Sequence, residues 1–348
     1  MQHHKNTSLG IILGLCVIGV LAFVSLKIAH LPFLTAHHIS PLLVAVLLGL
    51  VGSFFYPKIA YWTHHGVHFS AKKLLRLGII LYGFNVTIND ILHYGYVPLF
   101  IALVVVVGVF LLGVWLGGKM GLDQDLSMLV ACGSAVCGAA AVLALESVLK
   151  SPPFKGVVAV GTVIVFGLLA MFLYPFVYNL GWVPLSPLSE GVYIGATLHE
   201  VANVAGAASG ISPEAEKVAV TIKMVRVIML IPLLLAVSFY LKSTNTKHKH
   251  KVKLQVPWFA FIFLGMVVVH SYLQPLFGGF VAPDVLKHSV EVLRFGSVVC
   301  LVCAMGALGL QVELKKFLNL GGSAFILALI LFIVLIFAGF GLVKVLMG

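Results

Sequence analysis

Within one long apolar run, Gly195-Ala-Thr-Leu-His-Glu-Val-Ala-Asn203 gathers a hydroxyl, an imidazole, a carboxylate and an amide. Ionisable groups are costly at membrane depth and are kept there by contact with a substrate, a proton or an ion, or by a hydrogen-bonded knot. Read as a helix, the spacing sets His199 and Asn203 at i,i+4 on one face, with Thr197 and Glu200 beside it. A carboxylate at that depth needs a partner or a proton, so Glu200 and His199 are candidates to carry a coupling proton. His199-Glu200-x-x-Asn203 resembles the H-E-x-x-H zinc signature, but the second histidine is missing. No metal and no cofactor are therefore expected.

A second stretch, Leu129–Glu146 (LVACGSAVCGAAAVLALE), is built from small residues where its neighbours use Leu and Phe. Such a surface suits the inside of a bundle, where a backbone or a ligand approaches closely. Gly133 and Gly138 flank Ser134 and Cys137, and glycine lets the backbone leave helical geometry. An unwound point here would expose N–H groups and a helix N-terminus, which together attract anions. The competing reading is a tightly packed continuous helix. Cys303–Gly309 repeats the Gly/Ala pattern and makes Gly306 a candidate in a second interrupted helix.

Basic residues supply the complement to an anion. Arg226 lies deepest in apolar sequence, with Lys223 one turn before it; Lys73 and Arg76 sit at a proposed helix end, where snorkelling to lipid phosphate is the favoured reading. Asn85 and Thr87 mark either a broken helix end lining a cavity or an ordinary interfacial end. Glu146, Glu291 and Glu313 fall toward helix ends and read as partnered or solvated.

These groups need elements to hold them. The 348 residues are 61% hydrophobic and 9% charged, against about 25% charged in soluble domains. The chain is thus an all-α polytopic membrane protein. At about 20 residues per span, eleven segments follow: roughly 9–28, 40–56, 71–92, 96–118, 124–149, 154–179, 190–210, 214–241, 257–273, 285–311 and 319–347. The first lacks a small-residue cleavage site and reads as a retained helix. The net charge of +11 sits in short connections, above all Lys242–Lys253, as in loops facing cytoplasm and anionic lipid; it does not imply nucleic acid. The five cysteines all lie in apolar segments and read as packing residues.

Lys73-Leu-Leu-Arg76 and Lys223-Met-Val-Arg226 lie five segments apart, an odd offset that makes inverted copies. A match of the same length, Leu75-Arg-Leu-Gly78 with Leu293-Arg-Phe-Gly296, competes with it. The five-segment offset divides the chain into an N-terminal helix (1–39), a first repeat (40–180) and a second (186–348) within one membrane domain. It also pairs the fifth segment with the tenth as two interrupted, crossing helices.

Leu74–Phe84 (LLRLGIILYGF), Cys137–Ala144 (CGAAAVLA) and Tyr193–Ala202 (YIGATLHEVA) together resemble the signature stretches of the YeiH-type sulfate exporter family of bacterial inner-membrane proteins. The likeness spans nearly the whole chain. It implies a secondary transporter related to the cation/proton antiporter and bile-acid symporter group, with two inverted five-helix repeats whose interrupted helices cross near the midplane. Asn203 departs from the glutamine common in the family; the amide survives but its reach shortens. The sulfate label belongs to the family and does not follow from the residues.

Combined, these readings point to a transporter exporting a small anion, sulfate or an organosulfonate, driven by a gradient. Gly133, Ser134, Cys137, Gly138, Thr197, His199, Glu200, Asn203, Arg226 and Gly306 would bind substrate, with Arg76, Asn85 and Lys223 in support. A proton or sodium ion would couple, lipid would surround, and a homo-oligomer is open. A cation/proton antiporter on the same fold is the alternative, weakened because Asp90, Asp123, Asp125 and Asp284 lie at proposed ends. An intramembrane hydrolase using His199, Glu200 or Ser134 lacks a second metal histidine and a Ser/His pair.

Overall fold

The computed structural model describes residues 2–31, 40–244, 257–277, 283–312 and 322–348. Glu313 and residues 245–253 of the basic connection lie outside them. Among the described residues the regular structure is helical throughout. Six helices are long and apolar enough to cross a membrane, or seven if a bent pair counts as one span.

The chain divides into two compact units. The first comprises Met1–His93 and Trp258–Glu313. It contains α1 (Gln2–Ala29), α2 (Pro41–Ser53), α3 (Tyr56–Phe69), α4 (Leu75–Tyr82), α5 (Ile88–Tyr94), α14 (Trp258–Phe277) and α15 (Pro283–Leu310). A π-helical turn at Ser70–Leu74 joins α3 to α4 without a loop, so the expected third span begins well before residue 71. A 3-10 turn at Gly83–Asn85 ends it, and α5 then leaves at 81°. Thr87 and Asp90 make that turn possible by capping each other: Asp90 Oδ2 accepts from Thr87 N at 2.8 Å, and Thr87 Oγ1 accepts from Asp90 N at 3.1 Å. This reciprocal pair satisfies two of the N–H groups that α5 would otherwise leave free.

The tenth segment differs from expectation. It is one unbroken helix, α15. A Cβ on Gly309 would sit 2.9 Å from Gly49 Cα of α2, and one on Gly49 would sit 2.9 Å from Gly309 Cα. A Cβ on Gly306 would run into the Leu21 side chain of α1. The small residues of this run therefore serve close helix packing, and the expected break at Gly306 does not form.

The second unit comprises Tyr94–Pro257 and Leu314–Gly348. Its helices are α6 (Val97–Lys119), α7 (Gln124–Ala135), α8 (Ala139–Leu149), α9 (Pro153–Asn179), α10 (Pro187–Thr197), α11 (Val201–Ser209), α12 (Pro213–Ile228), α13 (Leu230–Thr244) and α16 (Gly322–Met347). Local chemistry sets the starts. Asp123, Ser186 and Ser212 cap α7, α10 and α12 by accepting from Leu126 N, Ser189 N and Ala215 N, and Pro187 and Pro213 occupy the first turn, where the missing N–H costs nothing. Glycines set the closest approach: Cβ atoms on Gly191 and Gly195 of α10 would each lie 3.0 Å from the Cα of Ala215 and Ala219 of α12. That tight pairing brings the buried side chains of α12 under the end of α10.

Candidate functional site: two facing helix breaks

Two helices of the second unit are interrupted. Between α7 and α8, Val136 takes φ −114° and ψ −87°, and Gly138 takes φ +72° and ψ −135°. The second conformation is essentially closed to side-chain-bearing residues. Between α10 and α11, Leu198 and Glu200 are extended, with ψ 152° and 145°. His199 and Asn203 thus do not share one continuous helix as the spacing suggested; the break lies between them. The two interruptions touch. A Cβ on Gly138 would fall 3.2 Å from Glu200 Cγ and 3.5 Å from the His199 carbonyl oxygen.

Breaking a helix exposes carbonyls at one end and N–H groups at the other. The carbonyl ends are met by α12. Arg226, completely buried, donates from Nη1 to Gly195 O (3.1 Å) and Leu198 O (2.9 Å), and from Nη2 to Ala135 O (2.6 Å) and Ser134 O (3.4 Å). Lys223, equally buried, donates from Nζ to Val136 O at 2.7 Å and to Leu198 O. Cations at helix C-termini are favoured by the partial negative charge there. Among the described residues neither cation forms an ion pair with a carboxylate; the ion pairs present join Lys155 to Asp123 and Asp125.

The opposite ends are left open. Gly138 and Glu200 stand at the N-caps of α8 and α11, and neither helix start receives a side-chain cap. Two partly positive helix ends therefore begin at the crossing, next to two buried cations. This is an arrangement of fixed dipoles and charges that suits an anion.

The remaining predicted residues divide. Ser134, Cys137, Thr197, His199 and Asn203 are all buried in this unit. Thr197 Oγ1 is occupied, donating to Tyr193 O at 2.6 Å, and its methyl faces Gly339. His199 Nδ1 has no hydrogen-bond partner, and its ring lies 6.2 Å from that of Phe332. Gly133 packs toward Val142 and Val163. Gly306, Arg76 and Asn85 belong to the first unit. There Arg76 is exposed with its guanidinium 6.0 Å from the Phe259 ring centroid, and Asn85 Nδ2 donates back to Tyr82 O at 3.3 Å. Among the described residues, no three His, Cys, Asp or Glu side chains gather as a metal site requires.

Sequence reasoning missed two features. Arg294 in the first unit donates from Nε to Phe84 O at 2.8 Å, and its Nη2 lies 3.3 Å from His270 Nε2, whose Nδ1 meets Val86 O at 3.0 Å. The bend before α5 is thus held by an arginine on carbonyls, as Arg226 holds the breaks, beside a cleft of about 700 Å³ lined by Thr87, His270, Lys287 and Arg294. The other is Glu190 in the first turn of α10, completely buried and with neither carboxylate oxygen partnered. Following the cap Ser186 and Pro187, it occupies a position where an acidic residue is favoured by the helix dipole, so its residue type signals nothing unusual.

An all-helical membrane protein with two abutting helix breaks is what the fold and site define. The chain belongs to the family described as Conserved hypothetical protein 698, whose model matches residues 12–328, the same family as the YeiH-type proteins. It is 48% identical to a UPF0324 membrane protein of Wolinella succinogenes over 96% of this chain and 97% of the relative. It is 45% identical to one from Helicobacter hepaticus over 93% and 95%, and 40% identical to one from Bordetella pertussis over 95% and 94%. No solved structure matches.

Proposed function

We propose that this protein is a secondary transporter that carries a small anion, sulfate or an organosulfonate, out across the bacterial inner membrane by gradient-driven alternating access. The observation that carries the reading is the meeting of two uncapped helix starts, α8 at Gly138 and α11 at Glu200, beside Lys223 and Arg226. Backbone N–H groups of both starts would bind the anion. Arg226 and Lys223 would act on it through their field, because their Nη and Nζ bonds already go to helix carbonyls. Glu200 and His199 would exchange the coupling proton; sodium coupling is the other arm of the same test.

In this reading eleven spans comprise an N-terminal helix and two inverted five-helix repeats. The fifth segment meets the broken seventh, and not the unbroken tenth that the five-segment offset assigned as its crossing partner. The antiporter alternative has less support. Asp90 is engaged in capping α5, and Asp123 and Asp125 pair with Lys155, so no aspartate stands at the crossing. Reconstituted vesicles loaded with labelled sulfate or a small sulfonate test the proposal: efflux well above that of empty vesicles is expected. Efflux no faster than the control for every anion tried ends the anion reading.

A further inference from the structure

A cavity lies in the second unit, with a lining distinct from the residues of the helix breaks. It encloses about 270 Å³ between the end of α9, the start of α10 and the middle of α16. Five aromatic rings, Tyr174, Trp182, Tyr193, Phe337 and Phe340, share its wall with Glu190. Tyr174 and Tyr193 stack with ring centroids 4.8 Å apart, and Phe340 meets Tyr193 edge-on at 6.2 Å. Trp182 and Phe337 are each 72% exposed, whereas Tyr174, Tyr193 and Glu190 are buried. The cavity therefore runs from an aromatic rim inward to a wall beside Glu190, whose carboxylate oxygens are almost wholly covered.

That combination is selective. A buried carboxylate without a donor is costly, and Tyr193 cannot supply one because its hydroxyl donates to Ile336 O at 2.9 Å. Without a cation, a proton is what neutralises such a group; an inorganic anion finds no donor beyond it, and a neutral apolar ligand leaves both oxygens unpaired. A small metal ion would find one carboxylate among apolar rings, too few oxygens to replace its water. An organic ammonium group satisfies both features, because its positive charge faces the carboxylate while its alkyl substituents lie against ring faces, as in aromatic cages.

We propose that this cavity binds an organic ammonium cation, supplied either by a free amine or by the headgroup of a surrounding lipid. Glu190 pairs with the charge, Tyr174 and Tyr193 form the inner cage, and Trp182 and Phe337 guard the mouth. Neither Lys223 nor Arg226 lines the cavity, although the buried Tyr174 hydroxyl lies within the field of Arg226.

The test is calorimetric titration of the full-length protein in phosphatidylglycerol nanodiscs with tetramethylammonium, and with neopentanol as an uncharged, water-soluble analogue of similar bulk. Saturable tetramethylammonium binding is expected, with neopentanol at least about tenfold weaker. Glu190→Gln should lose about tenfold in affinity and Trp182→Ala about threefold. If Glu190→Gln does not fold, the exposed Trp182→Ala carries the test alone. No saturable binding, equal binding of neopentanol, or unchanged affinity in the variants overturns the proposal. Repeating the titration in phosphatidylcholine nanodiscs separates the sources: weakened binding there identifies the lipid headgroup as occupant, and unchanged binding identifies a free amine.

Discussion

Lys223 Nζ and Arg226 Nη1 donate to the same acceptor, the carbonyl oxygen of Leu198. Arg226 then spans to Ala135 O and Lys223 to Val136 O, so two residues one turn apart on α12 tie together the cut ends of α7 and α10. Both cations donate to backbone carbonyls and neither pairs with a carboxylate, while Arg226 Nε is left without a partner.

Arg226→Lys should consequently be far from conservative. One ammonium cannot reach four carbonyls spread over two helices, and each buried carbonyl left bare costs about 1–3 kcal/mol. Chemical or thermal unfolding in detergent should show a loss of about 2–4 kcal/mol for Arg226→Lys and less for Lys223→Met, which strips Val136 O but leaves Leu198 O with Arg226. Equal losses would show that bridging the two helix ends is not what sets Arg226 apart.

Gly138→Ala tests the break itself. Its φ of +72° strains any side chain, and a Cβ would meet Val163 at 3.1 Å and Glu200 at 3.2 Å. Gly121 shares φ +72° but has open space around it. Gly121→Ala should cost about 1–2 kcal/mol from backbone strain alone, with anion flux retained. Gly138→Ala should cost more and also suppress flux, because the methyl intrudes where α8 and α11 begin. Flux equal in the two variants would detach the break from transport.

At the membrane edge, Asp123 both caps α7 and pairs with Lys155 at 2.7 Å. Burial raises its carboxyl, but the hydrogen bonds from Lys155 and from Leu126 N outweigh this and hold it below its usual 3.8. A depressed carboxyl stabilises the fold above the unfolded value and loses that contribution as pH falls below about 3.8 through the folded value. Because the group is half exposed, the contribution is small, about 0.5 kcal/mol. Asp123→Asn keeps the cap and should flatten this acid limb, whereas Asp123→Ala should also lose about 1 kcal/mol at neutral pH. Melting temperature followed from pH 7 to pH 3 distinguishes the two.

The legible part of the site was the break after Val136. Leu129–Glu146 shows it because small side chains and a glycine with no steric alternative sit together in a helix of membrane length. The Gly/Ala run of α15 looked the same for a different reason. Both a break and a close helix crossing require the loss of Cβ, and only the partner tells them apart: for Gly309 it is the backbone of Gly49. The break at Leu198–Glu200 had no local sign, since Leu, His and Glu continue helices readily. What holds it open is Arg226, 28 residues away, and that pairing is long-range. Glu190 stayed hidden because acidic first-turn residues are ordinary on capped helices, and its burial comes from α9 and α16 packing over it.

Glu200→Gln addresses coupling. Glutamine keeps the size and the polar tip of the residue beside Gly138 but cannot take up a proton. One coupled proton converts a pH difference of one unit into about tenfold accumulation. In reconstituted vesicles with such a gradient, the variant should lower the sulfate accumulation ratio from about ten to about one while still exchanging sulfate at equilibrium. His199→Gln separates the two candidates, because His199 is buried against Phe332 with Nδ1 unpartnered. If His199 carries the proton, its variant loses accumulation and Glu200→Gln retains it. If both variants accumulate as the wild type does, another group carries the proton; if the wild type itself does not accumulate under the pH gradient, a sodium gradient in its place should drive the flux.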